Sequence, residues 1–316
     1  MDHFRGGFWE VAMRGHQVLD TTRFSGCIRS TRGGIEVDGR RVPLEEVAVL
    51  LVGNRTSLSG GALTMLAKYD VIVLNCDWRG IPDLVAYGWS DNSLIARRHR
   101  AQADLSLPRR KAAWQAIVRA KITGQRRNLE VVGASGADKL RRLAKDVRSG
   151  DPHNHEAQAA RLYWSEYFDD VTFRRVPGAR DNLNSMLNYG YTILRGFIIA
   201  AVCEAGLSPT LGLWHRSRNN TFALADDLIE PFRPAVDHCV RAIGLGGDLN
   251  DSAVKKALVA VASEPLGRSG QTVSTAAYDL ASTLARYSEG KLEKLVVPRW
   301  RPPASDVATG PEPPNG

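Results

Sequence analysis

The four cysteines, Cys27, Cys76, Cys203 and Cys239, lie 49, 127 and 36 residues apart, so the chain holds no CxxC pair and no Cys-rich knuckle. That spacing argues against a zinc ribbon or a redox dithiol and fits a reducing cytoplasm. No apolar run is long enough to cross a bilayer uninterrupted: the longest, Ile193 to Leu207, is broken by Arg195 and Glu204. The opening MDHFRGGFWE lacks the apolar centre of an export signal, so the expectation is a cytoplasmic protein with no membrane segment. Several catalytic signatures are also missing. There is no GxxxxGKS/T, no HExxH and no GxSxG, which removes support for P-loop phosphate binding, zinc-protease chemistry and a nucleophile elbow. Gly244-Leu245-Gly246-Gly247 follows a helical pattern and lacks the third glycine spacing of a dinucleotide site. His155-Glu156 has neither the HxE spacing nor the downstream PCxxC of the zinc deaminases.

What is present is a basic chain of 316 residues with a formal charge of +8. Residues 91–150 hold 15 basic and 5 acidic side chains, a local +10, so the excess positive charge is concentrated in one segment. Such a segment fits a phosphate-bearing partner, or is simply a solvated basic face.

The patterning divides the chain. From Gly26 to about Trp89, short extended runs alternate with turn residues: CIRSTRGGIEVDGRRVP, Val47 to Gly53 and Val71 to Cys76 read as strands. Gly33-Gly34 and Asp38-Gly39 supply hairpin turns, Pro43 suits a connection, and Ser59 to Lys68 reads as one capped helix. Beyond Asp91 apolar residues recur at helical spacing. Lys111 to Gln125 puts Trp114, Ile117, Val118 and Ile122 on a buried stripe, with Arg110, Arg119 and Gln125 facing outward. Asp151-Pro152 starts another helix, with the aspartate as cap, and a third spans about Asn182 to Ala205. The expectation is an α+β protein: a mainly-β domain over 1–91, a larger all-α domain over 92–297, and a flexible proline-rich tail over 298–316.

Within the helical part, Glu156 sits one turn into its helix on the face of Ala159, Ala160 and Tyr163, where an acid needs an ion-pair partner such as Arg161, or a metal. His215 lies in the loop GLWHRSRNNTF, followed by the helix FALADDLIE. There Asp227 and Glu230, or Asp226 and Glu230, share a face and either hold a cation or form a solvated acidic surface. One imidazole with two or three carboxylates suits Mg²⁺ or Mn²⁺ better than zinc. His153-x-His155 is a weaker chelating pair at a helix entrance.

Four segments, AAWQAIVRAKITGQRRNL from Ala112, HEAQAARLYW from His155, DNLNSMLNYGYTIL from Asp181 and LWHRSRNNTFALADDLIEPFRPAVD from Leu213, carry a resemblance over nearly the whole chain. The chain resembles the CRISPR-associated integrase family, the larger subunit of the prokaryotic spacer-acquisition complex, and LADDLIEPFRP is most similar to the type II, single-effector form. The resemblance implies a catalytic set of Glu156, His215, Glu230 and Asp227, with Glu156, His215 and Glu230 holding Mg²⁺ or Mn²⁺. It implies phosphate contacts from Arg109, Arg110, Arg119, Lys121, Arg161, Arg218 and Asn219, although Lys121 also continues the Trp114 stripe and can snorkel from it. It further implies a homodimer joined through the β domain, a small companion subunit, and double-stranded DNA, both protospacer and CRISPR repeat, as substrate. The implied reaction is attack of a DNA 3′ hydroxyl on a phosphodiester. The alternatives are a metal nuclease acting on branched DNA in repair and a DNA-binding scaffold without catalysis.

Overall fold

A computed structural model describes residues 9–11, 17–77, 82–88, 94–168, 170, 172–179, 181–215, 219–267 and 270–303. The N-terminal strands are β1 (Trp9–Val11), β2 (Gln17–Thr21), β3 (Gly26–Thr31), β4 (Gly34–Val37), β5 (Arg40–Pro43), β6 (Val47–Gly53), β7 (Thr56–Leu58), β8 (Ile72–Cys76) and β9 (Pro82–Ala86), with helix α1 (Gly60–Lys68) before β8. They form a five-stranded sheet in the order β1-β2-β6-β8-β9 and a four-stranded sheet in the order β5-β4-β3-β7. The β4–β5 turn has Asp38 and Gly39 at φ of 51° and 71°, the left-handed pair that a tight hairpin requires. Pro43 ends the edge strand β5, where its missing N–H costs no ladder bond.

Every residue of β6 is buried, as expected of a strand flanked by parallel neighbours and covered on both faces. Val47, Leu50 and Val52 belong to the core shared with β3, β4 and α1, whereas Val49 and Leu51 belong to the core of the helical part. The register shifts at Gln17/Val18, opposite Val47 and Val49, and there the adjacent Ala48 and Val49 both join the helical core.

The helices are α2 (Ile95–Ala103), α3 (Leu107–Val131), α4 (Ala137–Asp146), α5 (His155–Glu166), α6 (Asn182–Glu204), α7 (Ala223–Leu228), α8 (Arg233–Ile243), α9 (Ser252–Ala260) and α10 (Val273–Ser288). The β-then-α order is the α+β class expected from the sequence. α6 is the hub: Asp181 caps it by accepting the Asn184 N–H, and it packs on β6, β8, α8 and α10. A Cβ at Gly196 would stand 2.8 Å from Leu74 Cδ1, so glycine allows α6 to approach β8. By length and composition α6 could cross a membrane, but 78% of its apolar window is buried inside the protein.

Three local expectations need correction. α5 begins at His155 rather than Pro152, because Asp151 and Asn154 adopt φ of 44° and 52° and form a turn; the Asp151 carboxylate then accepts the N–H groups of His155 and Glu156, each at 2.9 Å. Glu156 is therefore in the first helical turn. Gln125 is 3% exposed rather than outward-facing, while Trp114, Ile117, Val118 and Ile122 are buried as their spacing requires. The chain is also packed beyond Pro298: Trp300 is 1% exposed and its indole donates to Asn128 Oδ1 at 2.8 Å. Asn128 in turn donates to Tyr163 and to the Pro234 carbonyl, which ties this segment to α5 and α8. Residues 304–316 lie outside those described.

Trp300→Ala should destabilise the protein by about 3–5 kcal/mol, the cost of a large core cavity, measured by chemical denaturation. A second test concerns Asp237 of α8, which is 1% exposed and accepts the Tyr191 hydroxyl. Burial pushes its carboxyl up to about 7 against the opposing pull of Tyr191, Tyr163, Arg233 and Arg175. An acid whose folded value exceeds its unfolded one loses its stabilising contribution as pH rises between the two. Stability should therefore fall between pH values of about 4 and about 7, and Asp237→Asn should flatten that part of the Tm–pH curve.

Candidate functional site

Lys121 lies past the middle of α3, two turns beyond Trp114, and its side chain is 13% exposed. Its ammonium stands 2.6 Å from Glu156 Oε1, at the start of α5, and 2.5 Å from Glu230 Oε2, in the turn between α7 and α8. Residues distant in sequence thus share one cation. Glu230 Oε1 also accepts from Arg233 Nε at 2.7 Å. Burial alone would raise the Glu230 carboxyl, but Arg233 and Lys121 outweigh it and hold the group well below its ordinary range. For Lys121 the order is similar: burial disfavours the charge, and Glu230 and Glu156 more than restore it.

The expected helical face of Asp227 and Glu230 does not form, because α7 ends at Leu228 and leaves Glu230 in the turn that follows. Asp227 is fully buried. Its Oδ2 accepts the N–H groups of Leu213 and Trp214 at 2.6 and 2.9 Å, while Oδ1 lies 2.6 Å from His215 Nδ1 and accepts the His215 N–H at 3.2 Å. A carboxylate can only accept, so Nδ1 carries the proton and the Nε2 lone pair is left available. The hydrogen bond to Asp227 raises the His215 imidazole above its ordinary value, despite the opposing effect of burial. Trp114 stacks on Trp214 at 5.7 Å and meets the His215 ring edge-on at 5.8 Å, fixing the loop against α3.

Asp226, which spacing pairs with Glu230 on one helix face, instead makes a two-pronged pair with Arg195 of α6, at 2.6 and 2.9 Å, and accepts from Asn220. Arg161 is exposed, and the partner of Glu156 is Lys121. Several residues expected to contact phosphate have internal partners instead. Arg109 donates to the Tyr287 and Leu292 carbonyls and lies 4.0 Å above the Tyr287 ring; Arg119 donates to the Lys145 and Val147 carbonyls; Arg110 is half-buried. Asn219 is exposed, and Arg218 lies outside the described residues.

Sequence spacing did not single out a groove of about 470 Å³ between α3 and α4, lined by Arg119, Arg126, Arg127, Arg141, Lys145 and Arg299. Burial and the neighbouring Arg301, Arg126 and Arg299 lower the Arg127 guanidinium to about 10, a sign of crowded positive charge. Arg126 and Arg127 and, one α-turn apart, Arg141 and Lys145 were the available signal.

Among the described residues, no three of His, Cys, Asp and Glu converge closely enough to form a ready metal cage. What converges is narrower: two carboxylates gathered on one positive charge, in the company of an oriented imidazole whose elevated basicity reflects, among other charges, that of Glu230. Two hard oxygens and one imidazole nitrogen suit Mg²⁺ or Mn²⁺, and the ammonium shows that the carboxylate pair accommodates a cation.

A profile of the family described as CRISPR associated protein Cas1 matches residues 27–261. The CRISPR-associated endonuclease Cas1 of Neisseria meningitidis is 38% identical over 202 residues, 63% of this chain and 66% of that protein. A casposase bound to integration product shares the fold at a TM-score of 0.71 and 22% identity, over 92% of this chain and 97% of that one. A Cas6-RT-Cas1–Cas2 complex matches at a TM-score of 0.71 and 17% identity, over 94% of this chain and 37% of that one. With the family profile spanning most of its length, from β3 to the end of α9, the chain belongs to the Cas1 family of CRISPR-associated proteins.

Proposed function

We propose that this Cas1 chain is a divalent-metal-dependent DNA endonuclease and integrase that inserts new spacer DNA into a CRISPR array. The observation that carries the reading is the meeting of Glu156 and Glu230 on one largely enclosed cation, with Glu230 within electrostatic reach of an imidazole oriented by a fully buried aspartate. Glu156, Glu230 and His215 hold Mg²⁺ or Mn²⁺, and the ion, when bound, supplies Lewis acidity at a phosphoryl oxygen and lowers the pKa of the attacking hydroxyl. Asp227 keeps its carboxylate on the imidazole Nδ1–H and the 213–215 backbone, so it positions His215 and does not ligate.

A DNA 3′ hydroxyl attacks a phosphodiester at the edge of a repeat, forming one P–O bond as another breaks. That near balance fits a chain without a P-loop signature. With water as nucleophile, the same groups support hydrolysis. Arg126, Arg141 and Lys145 of the α3–α4 groove and the exposed Arg161 and Asn219 serve as backbone contacts, which position DNA without reading its sequence. The β region over 1–91 serves dimerisation and the helical region over 92–297 catalysis. The Cas2-bound relative supports a small companion subunit of that kind, and the Neisseria relative is compatible with a type II assignment. The site of action is the prokaryotic cytoplasm.

Glu156→Ala should retain duplex binding and dimerisation but lose strand joining into a supercoiled plasmid bearing a repeat. The loss should exceed the roughly 10–100-fold cost of removing an outer-shell partner. Undiminished joining refutes the assignment; cleavage of branched DNA by the wild-type protein without any joining favours a repair nuclease. Combined Arg141→Glu and Lys145→Glu should weaken DNA binding and reduce the slope of log affinity against log salt by about 0.9 for each phosphate no longer neutralised, as read by a salt titration.

A further inference from the structure

Lys121 has no position in the ligand set just proposed, yet its ammonium touches both of that set's carboxylates. Its ammonium donates to Glu156 Oε1 and stands at ion-pair distance from Glu230 Oε2, and the side chain is largely enclosed. Mg²⁺ binds oxygens at about 2.0–2.1 Å, so an ion using these same two oxygens takes the place of the ammonium. The cluster is also electrically complete without an ion: Glu156 and Glu230 carry two negative charges, and Lys121 and Arg233 carry two positive ones. A divalent ion added with Lys121 in place would meet an ammonium at contact distance and no uncompensated negative charge.

The ammonium has somewhere to go. A cavity of about 310 Å³ adjoins it, lined by Gln125, Trp164, Tyr191 and Glu230, by the cations Arg175 and Arg233, and by Asp237, whose buried carboxyl offers an acceptor that offsets those two charges. A four-carbon stem anchored on α3 can swing its charged end into that space while its backbone stays fixed. Arg233 is more constrained, stacked at 4.5 Å from the Tyr191 ring centroid and paired with Glu230 Oε1. Of the two cations on the cluster, Lys121 is the one placed to move.

We propose that Lys121 is a built-in competitor for the divalent-ion position. It occupies the Glu156–Glu230 pair in the metal-free protein, leaves that pair when an ion enters, and thereby sets the affinity of the site for the ion. The proposal rests on the metal-dependent reading above and makes Lys121 a positioning residue, acting through the two carboxylates. In the metal-free state it spares the buried Glu230 and the half-buried Glu156 from facing one another uncompensated.

The test uses the full chain and Mn²⁺ as the probe, with free ion counted by electron paramagnetic resonance. Lys121→Met keeps the length of the stem and removes its charge. It should bind Mn²⁺ at least tenfold more tightly than wild type, have a lower Tm in EDTA, and show a larger rise in Tm on adding Mn²⁺. A residue that merely supports the fold would lower Tm without tightening the ion. In wild type, amine acetylation followed by mass spectrometry should find Lys121 protected in EDTA and several-fold more reactive with Mg²⁺; this arm decides the matter if the variant does not fold. Equal or weaker Mn²⁺ affinity in a folded Lys121→Met, or labelling of Lys121 indifferent to Mg²⁺, overturns the proposal while leaving the ligand assignment intact. Failure of the wild-type protein to bind Mn²⁺ at all overturns both.

Discussion

The arrangement of the helical part depends on keeping Glu230 charged while enclosing it, and on drawing the half-buried Glu156 to the same cation. An isolated carboxylate removed from water neutralises itself by a shift in pKa, and a neutral acid is a poor partner for a cation. Here Lys121 and Arg233 prevent that for Glu230, and Lys121 alone is paired with Glu156. The ion cluster also fixes geometry. It ties α3 to the start of α5 and to the turn before α8. A buried ion pair is weak evidence for net stability, because desolvation offsets much of the attraction. Its consequence here is specificity of position.

The remaining elements hold this cluster in place. α6 runs through the protein between the five-stranded sheet and the helices, and one face of β6, with Ala48, Val49 and Leu51, belongs to the core of those helices. Asp227 does for the loop what Lys121 does for the acids: one carboxylate gathers three backbone N–H groups and an imidazole, converting a flexible stretch into a fixed support for His215. Stacking of Trp214 on Trp114 then joins that support to α3, the helix that carries Lys121. Both halves of the site are therefore referred to one rigid element. That arrangement meets the requirement that reacting groups be held by side chains whose own rotamers are locked.

Periodicity made the strands, the long helices and the Trp114 stripe legible, since those features are set by which face each residue must bury. Local competition for hydrogen bonds was less legible. Asp151-Pro152 satisfies a rule for helix starts, yet Asn154 caps α5 while Asp151 accepts from the next two residues, and only the folded turn distinguishes these outcomes. The helix through Glu230 failed for a related reason: Pro231 follows Glu230 directly and disfavours helical backbone there, so α7 ends at Leu228 and the chain restarts as α8 at Arg233. The partner of Glu156 was out of reach of spacing arguments, because Lys121 lies 35 residues away and reads in its own helix as an extension of an apolar stripe. Arg109 is the converse case. A basic segment suggests an outward charge, but two carbonyls and an aromatic ring had already claimed its guanidinium.

The charge distribution reconciles these acids with a polyanionic substrate. Uncompensated carboxylates at a DNA-processing site would repel the phosphates that have to approach them, with an energy that grows as the effective dielectric falls inside a cleft. A compensated cluster removes that repulsion before any metal or DNA arrives. The excess positive charge of residues 91–150, including the α3–α4 groove, then acts over a longer range with little local opposition from the site itself. α3 is thus the common term: one part of its surface supplies Lys121 to the acids, and another supplies Arg126 and Arg127 to the groove.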